Sequence, residues 1–130
     1  MIVVDASAVL EALLRTRAAA VVERWLFDPS HTLHAPHLLD VEVAQVVRRY
    51  AAHREIDGER GRMALADLAD LPLHRYPHDF LLLRAWDLRN NLTAYDAMYV
   101  ALAEALDAPL LTRDKRLAAS PGHHARIDLI

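Results

Sequence analysis

Residues 2–8 read Ile2-Val3-Val4-Asp5-Ala6-Ser7-Ala8, and the reading of this stretch decides the fold. Three β-branched residues in a row suit a short strand buried on both faces. An acid closes the run, and the small residues Ala6, Ser7 and Ala8 suit a tight strand-to-helix turn. A helix is expected over Ala8–Leu14. A first strand with an acid at its carboxyl end and a helix directly behind it is the opening unit of a parallel α/β sheet.

Outward from this unit, the same alternation continues. Arg17–Phe27 reads as a helix with Val21, Val22, Trp25 and Leu26 inward, and Asp28-Pro29-Ser30 as a turn. Thr32–Ala35 is a candidate second strand, with Pro36 starting a connection. Leu39–Arg54 carries Val43, Val46, Val47 and Tyr50 at helical spacing. Asp57 is placed to cap a helix running to Ala69. Leu73–Tyr76 is a weak strand, Asp79–Arg89 an amphipathic helix, and Thr93 opens a helix that ends near Leu106. Asp107-Ala108-Pro109 breaks that helix before an apolar strand over Pro109–Thr112. Asp114–Ala119 is expected to form a helical turn and Arg126–Ile130 a last strand. Strands alternating with helices predict a parallel sheet covered on both faces, with its ligand site beyond the carboxyl ends of the strands.

Composition narrows the chemistry. A length of 130 residues fits one domain, residues 1–130, and 54% hydrophobic with 25% charged residues describes a folded chain. Only 3 glycines argue against long flexible loops. There is no cysteine, so any metal here must be held by oxygen or imidazole. The start, Met1 to Asp5, does not have the pattern of a signal peptide or anchor. No later apolar run approaches the ~18 residues of a membrane helix, and a cytoplasmic protein is expected. With 15 basic and 18 acidic residues, the formal net charge of −3 argues against a simple nucleic-acid-binding module, whose affinity comes from neutralising phosphates. It suits an enzyme that concentrates acids and masks them with cations.

Four acids are candidates for that concentration. Asp5 ends the first strand, and Asp114 follows the Leu110–Thr112 strand. Glu42 and Asp96 are expected in the first turns of their helices, where the exposed N–H groups favour a carboxylate. If those helix starts border the same crevice, all four converge. Two carboxylates ~4 Å apart repel by roughly 4 kcal/mol at an effective dielectric near 20, so convergence calls for a cation. Mg²⁺ and Mn²⁺ are hard ions that prefer oxygen ligands. Each acid also has a purely structural reading. Asp5 can simply end a strand, and Glu42 can be a solvated helix residue. Asp96 follows Thr93 by three positions, as in a capping box. Asp114 can cap the helical turn behind it. Only the joint pattern favours a site.

Four segments carry a resemblance: IVVDASAVLEALL (2–14), APHLLDVEVAQVVRR (35–49), LTAYDAMYVALAEAL (92–106) and PLLTRDKRLA (109–118). In these the chain resembles PIN-domain ribonucleases, most closely the VapC toxins of bacterial VapBC toxin–antitoxin pairs. The resemblance implies a PIN-like α/β/α sandwich with a central parallel sheet flanked by helices. It implies that Asp5, Glu42, Asp96 and Asp114 form a catalytic, metal-binding site, with Ser7 helping to organise it and Thr112 in a similar part. It further implies endoribonuclease activity dependent on Mg²⁺ or Mn²⁺, an RNA substrate, a cognate VapB-type antitoxin, and a homodimer that can enter a larger toxin–antitoxin assembly. None of the four acids departs from the family pattern.

Two other functions were weighed. An Asp-nucleophile phosphohydrolase of the haloacid-dehalogenase type also begins with an acid after a first strand, but it wants a second Asp two residues on, where this chain has Ser7. A non-catalytic PIN-like scaffold that only binds RNA or protein would not need its acids intact. His31, His34 and His37 invite a zinc site, but their spacing fits neither a helix face nor a strand face, and surface histidines on a connection are expected instead. His123 and His124 read as a polar loop. Arg113, Lys115 and Arg116 flank Asp114, and Arg15 and Arg17 follow the first helix; either set can meet phosphates or be a solvated charge cluster. Trp25, Phe27 and Trp86 suit a core or partner interface better than base stacking. The Arg17–Phe27 and Asp57–Ala69 helices are candidates for an antitoxin groove.

Overall fold

The computed structural model describes residues 1–130. Strand β1 (Ile2–Val4) is buried throughout and lies at the centre of a five-stranded sheet of order β3-β2-β1-β4-β5. Its neighbours are β2 (Leu33–Pro36) and β4 (Leu110–Thr112), with β3 (Leu73–Tyr76) and β5 (Ile127–Leu129) at the edges. Every pairing is parallel. All carboxyl ends therefore lie along one edge of the sheet.

Helices α1 (Ala6–Leu13), α2 (Ala19–Leu26), α3 (Leu38–Ala52) and α4 (Gly58–Asp70) fill the two crossovers that step outward from β1 to β3, and they pack on one another. After β3 the chain crosses back to β4 through a 3₁₀ turn (Asp79–Leu81), α5 (Leu82–Asp87) and α6 (Ala94–Leu106). Right-handed crossovers in opposite directions put the two helix sets on opposite faces, giving an α/β/α sandwich. The most deeply buried helix is α6, which lies against β1, β2 and β4 with Ala97 through Ala103 all buried. A short α7 (Lys115–Ala118) precedes β5. One core of 29 buried residues joins both layers through the sheet.

Local signals explain most boundaries. Asp57 caps α4, its Oδ1 accepting from the Arg60 N–H at 2.7 Å. Asp107 ends α6 in the left-handed region at φ 48°, as the Asp-Ala-Pro break predicts. The expected Asp79–Arg89 helix is instead a 3₁₀ turn followed by the six residues of α5. The second helix starts at Ala19, two residues later than the sequence suggested. Pro36 closes β2 rather than opening a connection; its missing N–H costs nothing there, and the next donor, His37 N–H, bonds the Tyr76 carbonyl at 2.8 Å.

His34 corrects an expectation outright. It is not on a surface connection but buried in β2, 5% exposed. Its Nδ1 lies 2.7 Å from the Tyr76 hydroxyl and its Nε2 2.7 Å from the Thr32 hydroxyl, and its ring stacks on His74 at 4.9 Å. Burial, and secondarily His74, lowers its pKa, so it is kept neutral as a satisfied core histidine. No helix is long and apolar enough to cross a membrane.

Candidate active site

Asp5 emerges from the carboxyl end of β1 as the N-cap of α1, which is the strand-to-helix turn that Ala6, Ser7 and Ala8 permit. Its carboxylate is only 6% exposed and takes three hydrogen bonds. Oδ1 accepts from the Ser7 hydroxyl at 2.6 Å and the Ala8 N–H at 3.0 Å, and Oδ2 accepts from the Thr112 hydroxyl. The β1–β4 register, Val4 beside Leu111, brings Thr112 next to Asp5. Both hydroxyls are aimed by backbone donors: the Arg113 N–H donates to Ser7 Oγ at 2.9 Å and the Asp114 N–H to Thr112 Oγ1 at 3.0 Å. Each hydroxyl accepts one backbone N–H and donates its own proton to Asp5, because an ionised carboxylate can only accept. A carboxylate has about four lone-pair sites, so one on Oδ2 remains open. Burial raises the Asp5 pKa, its three hydrogen bonds oppose that rise, and the charge of Asp96 adds to it.

Glu42 lies in the second turn of α3, not the first as expected from sequence, because the helix begins at Leu38. A distant side chain sets that start: the Leu38 N–H donates to Nε2 of His78 at 2.9 Å. Half-buried Glu42 accepts at Oε1 from the hydroxyl of Tyr99, 2.5 Å away. Burial raises its pKa, the Tyr99 bond opposes this, and the charges of Asp96 and Asp5 raise it further. The sequence reading missed Tyr99. It stands three residues after Asp96 on α6, and a hydroxyl-bearing ring in the otherwise aliphatic and Met run Ala97–Ala103 was the available signal.

Asp96 is in the first turn of α6, as expected. Its backbone N–H donates to the Thr93 hydroxyl at 3.2 Å, so the capping reading is correct for Thr93. Burial raises the Asp96 pKa, and the charge of Asp114 is the next contribution. Asp114 caps α7, Oδ1 accepting from the N–H groups of Arg116 (2.8 Å) and Leu117 (3.2 Å). The capping reading therefore holds for Asp114 too, while Oδ2 makes no such bond. Asp96 and Asp114 share a cleft of about 260 Å³ with Thr93, Asn91 and Arg116.

The four acids thus come from four separate elements to the carboxyl edge of the sheet. Electrostatically they form a row, Glu42–Asp5–Asp96–Asp114, in which Asp96 raises the pKa of both Asp5 and Glu42 and is itself raised by Asp114. They do not close into a cage: no three His, Asp or Glu side chains are grouped to hold a metal ion by themselves. The donor set is all oxygen, mutually repelling and partly desolvated, which matches the chemistry of a hard divalent cation. The histidines play no part in it. Of the flanking cations, Arg113 is engaged, its Nε 3.6 Å from Glu11 and its Nη1 2.6 Å from the Ile130 carbonyl, whereas Arg116 lines the Asp96–Asp114 cleft.

Comparison with known proteins gives the family. The model of the PIN domain matches residues 2–122. The chain is 51% identical over 129 residues to ribonuclease VapC1 of Mycobacterium tuberculosis, covering 98% of this chain and 96% of that one. It is 43% identical over 130 residues to ribonuclease VapC12 of the same organism, covering 100% and 99%. Among solved structures, VapBC2 from Rickettsia felis bound to a promoter DNA fragment superposes with a TM-score of 0.74 at 14% identity, over 99% of this chain and 98% of that one. PAE2754 from Pyrobaculum aerophilum superposes with a TM-score of 0.71 at 26% identity, over 99% and 83%. On its sheet order, its acids at the strand ends and these matches, the chain belongs to the PIN domain family, among the VapC ribonucleases.

Proposed function

We propose that the protein is an endoribonuclease that hydrolyses RNA phosphodiester bonds at Asp5, Glu42, Asp96 and Asp114 and serves as the toxin of a type II toxin–antitoxin pair. The observation that carries the reading is the row of four carboxylates, each raising or raised by a neighbour, at the carboxyl edge of a parallel sheet. Such a row is electrostatically unfavourable in isolation, and a cation bound among the acids would relieve it.

Mg²⁺ or Mn²⁺ held by these four acids would supply the positive charge that draws in and polarises a phosphodiester. The chain's own residues do the rest. Ser7 and Thr112 fix the Asp5 carboxylate and leave one Oδ2 lone pair facing the crevice. Tyr99 holds Glu42 in one orientation. Thr93 takes up the backbone donor at Asp96 and so fixes the helix start that carries this carboxylate. Arg116 offers a cation for a flanking phosphate beside Asp96 and Asp114. The test is cleavage of end-labelled cellular RNA by purified protein, with the new ends mapped. Cleavage in Mn²⁺ that stops in EDTA and resumes on adding Mn²⁺ is expected. Undiminished cleavage by thoroughly chelated protein overturns the metal requirement, and no cleavage under any condition favours a non-catalytic scaffold.

Two surface features support the partners proposed. A groove of about 350 Å³ runs between α1, α2 and α4, with Leu13, Phe27 and Leu71 in its wall and Phe27 61% exposed. It fits an apolar segment of a VapB-type antitoxin, whose Arg side chain would reach the acids and pair with them bidentately. The exposed Phe80, Leu82, Leu83 and Trp86 around α5 suit a homodimer. Copurification of the product of a neighbouring small gene, and a light-scattering mass of two protomers, are the expected outcomes.

A further inference from the structure

We propose that the groove between α1 and α3 is a nucleobase subsite in which Tyr95 is the stacking platform for a base next to the scissile phosphate. The inference rests on the ribonuclease reading and adds to it a place and a chemistry for substrate recognition.

The groove has a volume of about 460 Å³, within the ~300–1,000 Å³ common for small-ligand pockets. Leu10, Val41 and Val46 make its apolar wall, and Val41 is 71% exposed. Glu42 and Ser7 line the same groove, so it is continuous with the acid row. Tyr95 stands at its head, 66% exposed, and is the residue immediately before Asp96. A large aromatic ring left in solvent on the first turn of a helix, one residue from a site carboxylate, gains little from the core. It is placed to meet something the site binds.

Charge decides what that is. No Lys or Arg lines the groove, so it offers nothing to a phosphate. The cations lie elsewhere: Arg116 is in the Asp96–Asp114 cleft. A nucleotide has both parts, an anionic phosphate and a flat apolar base with polar edges. Its phosphate belongs with the acids, their cation and Arg116, and its base with Tyr95 and the apolar wall. Gln45, exposed at the groove, carries an amide donor and acceptor for a base edge. Single-stranded RNA is recognised in this way, by bases splayed onto aromatic rings and read at their edges.

The test uses an RNA whose scissile phosphate has been mapped with the unaltered protein, together with copies carrying one abasic ribose at each flanking position. Tyr95→Ala is expected to lower kcat/KM on the intact RNA about ten-fold, mainly through KM, while Tyr95→Trp stays near the unaltered rate. One abasic position should cost the unaltered protein a similar factor and cost Tyr95→Ala nothing more, which is the non-additivity of a direct contact. Penalties that simply multiply at every abasic position overturn the proposal, as does a Tyr95→Trp protein as impaired as Tyr95→Ala. Normal cleavage by Tyr95→Ala, with weakened antitoxin binding or a halved solution mass, assigns the groove to a protein partner instead. Failure of the ribonuclease reading itself has a different signature, an unaltered protein that cuts no RNA.

Discussion

The hydroxyl of Tyr99 on α6 donates to Oε1 of Glu42 on α3 at 2.5 Å, joining two acid-bearing helices through residues 57 positions apart in the chain. Tyr99 is 2% exposed, and burial first, then its bond to Glu42, pushes its pKa far above the phenol range. It therefore remains a protonated donor at every working pH and can only hold Glu42, not titrate with it.

Tyr99→Phe should keep the packing of the ring and lose only this bond. Support of a site carboxylate by a neighbouring donor is typically worth about 10–100-fold in activity or metal affinity. A loss of that size in kcat/KM is expected, with circular dichroism unchanged. The bond opposes the rise in the Glu42 pKa, so removing it should move the acid limb of the pH–rate profile to higher pH. A profile that keeps both its height and its position would show that Glu42 needs no such support.

Asp96→Asn should fold and still bind its antitoxin, because the cap at this helix start is Thr93 and acts through the backbone N–H of residue 96. It removes the charge that couples to Asp5 and Glu42. Loss of RNA cleavage by about 100-fold or more is expected, on the scale of losing a ligand rather than its support. Cleavage near the unaltered rate by purified Asp96→Asn protein would remove Asp96 from the site.

Stability should report the same charge with the opposite sign. The folded-state pKa of Asp96 is raised, so the fold favours its neutral form. That contribution is complete below the unfolded value of about 3.9 and is lost as pH rises through the folded value. In metal-free protein at pH 7.5, Asp96→Asn should therefore melt higher than the unaltered chain, and the gap should close on acidification. Millimolar Mn²⁺ should reverse the order, since only the complete site gains from mass action, by about 2.7 kcal/mol at a hundred-fold excess over Kd. An unaltered chain whose melting temperature ignores Mn²⁺ would leave the row of acids without a cation.

Ser7→Ala and Thr112→Val each take one donor from Asp5. Each should reduce activity about 10–100-fold. Thr112→Val should also lower stability, because the Asp114 N–H loses its acceptor, and Thr112→Ser should restore both properties. Equal activity in the Val and Ser proteins would mean the hydroxyl does nothing for catalysis.

Legibility followed the range of the interaction that places each residue. Ile2–Val4 is readable as a buried strand because its neighbours in sequence are its signal, and Asp5 and Asp96 stand at element ends marked by small residues or by Thr93. Glu42 was placed one turn too early because the start of α3 is set by His78, 40 residues away. The HTLHAPH segment (31–37) looks polar, but β2 is an interior strand buried on both faces, and its pairing with β3 sets His34 beside its register partner His74. Tyr99 was hidden in a helix whose burial is so complete that the inward face offers no contrast. How far apart the acids stand could not be read from spacing at all; it is a property of how α3 and α6 seat on the sheet.

Thr112 and Asp5 are 107 positions apart, yet their bond shapes the carboxylate at the end of the central strand. A ribosome makes Asp5 well before β4, which follows it in the chain. Until β4 slots in beside β1, Asp5 lacks the Thr112 donor, Arg113 cannot aim Ser7, and Asp114 has no place. On the ribonuclease reading proposed above, a growing chain carries its acids separately past the RNA of the machine that makes it. The hazard arises in one step, when the fold completes, and a partner waiting at that moment need only recognise the finished protein.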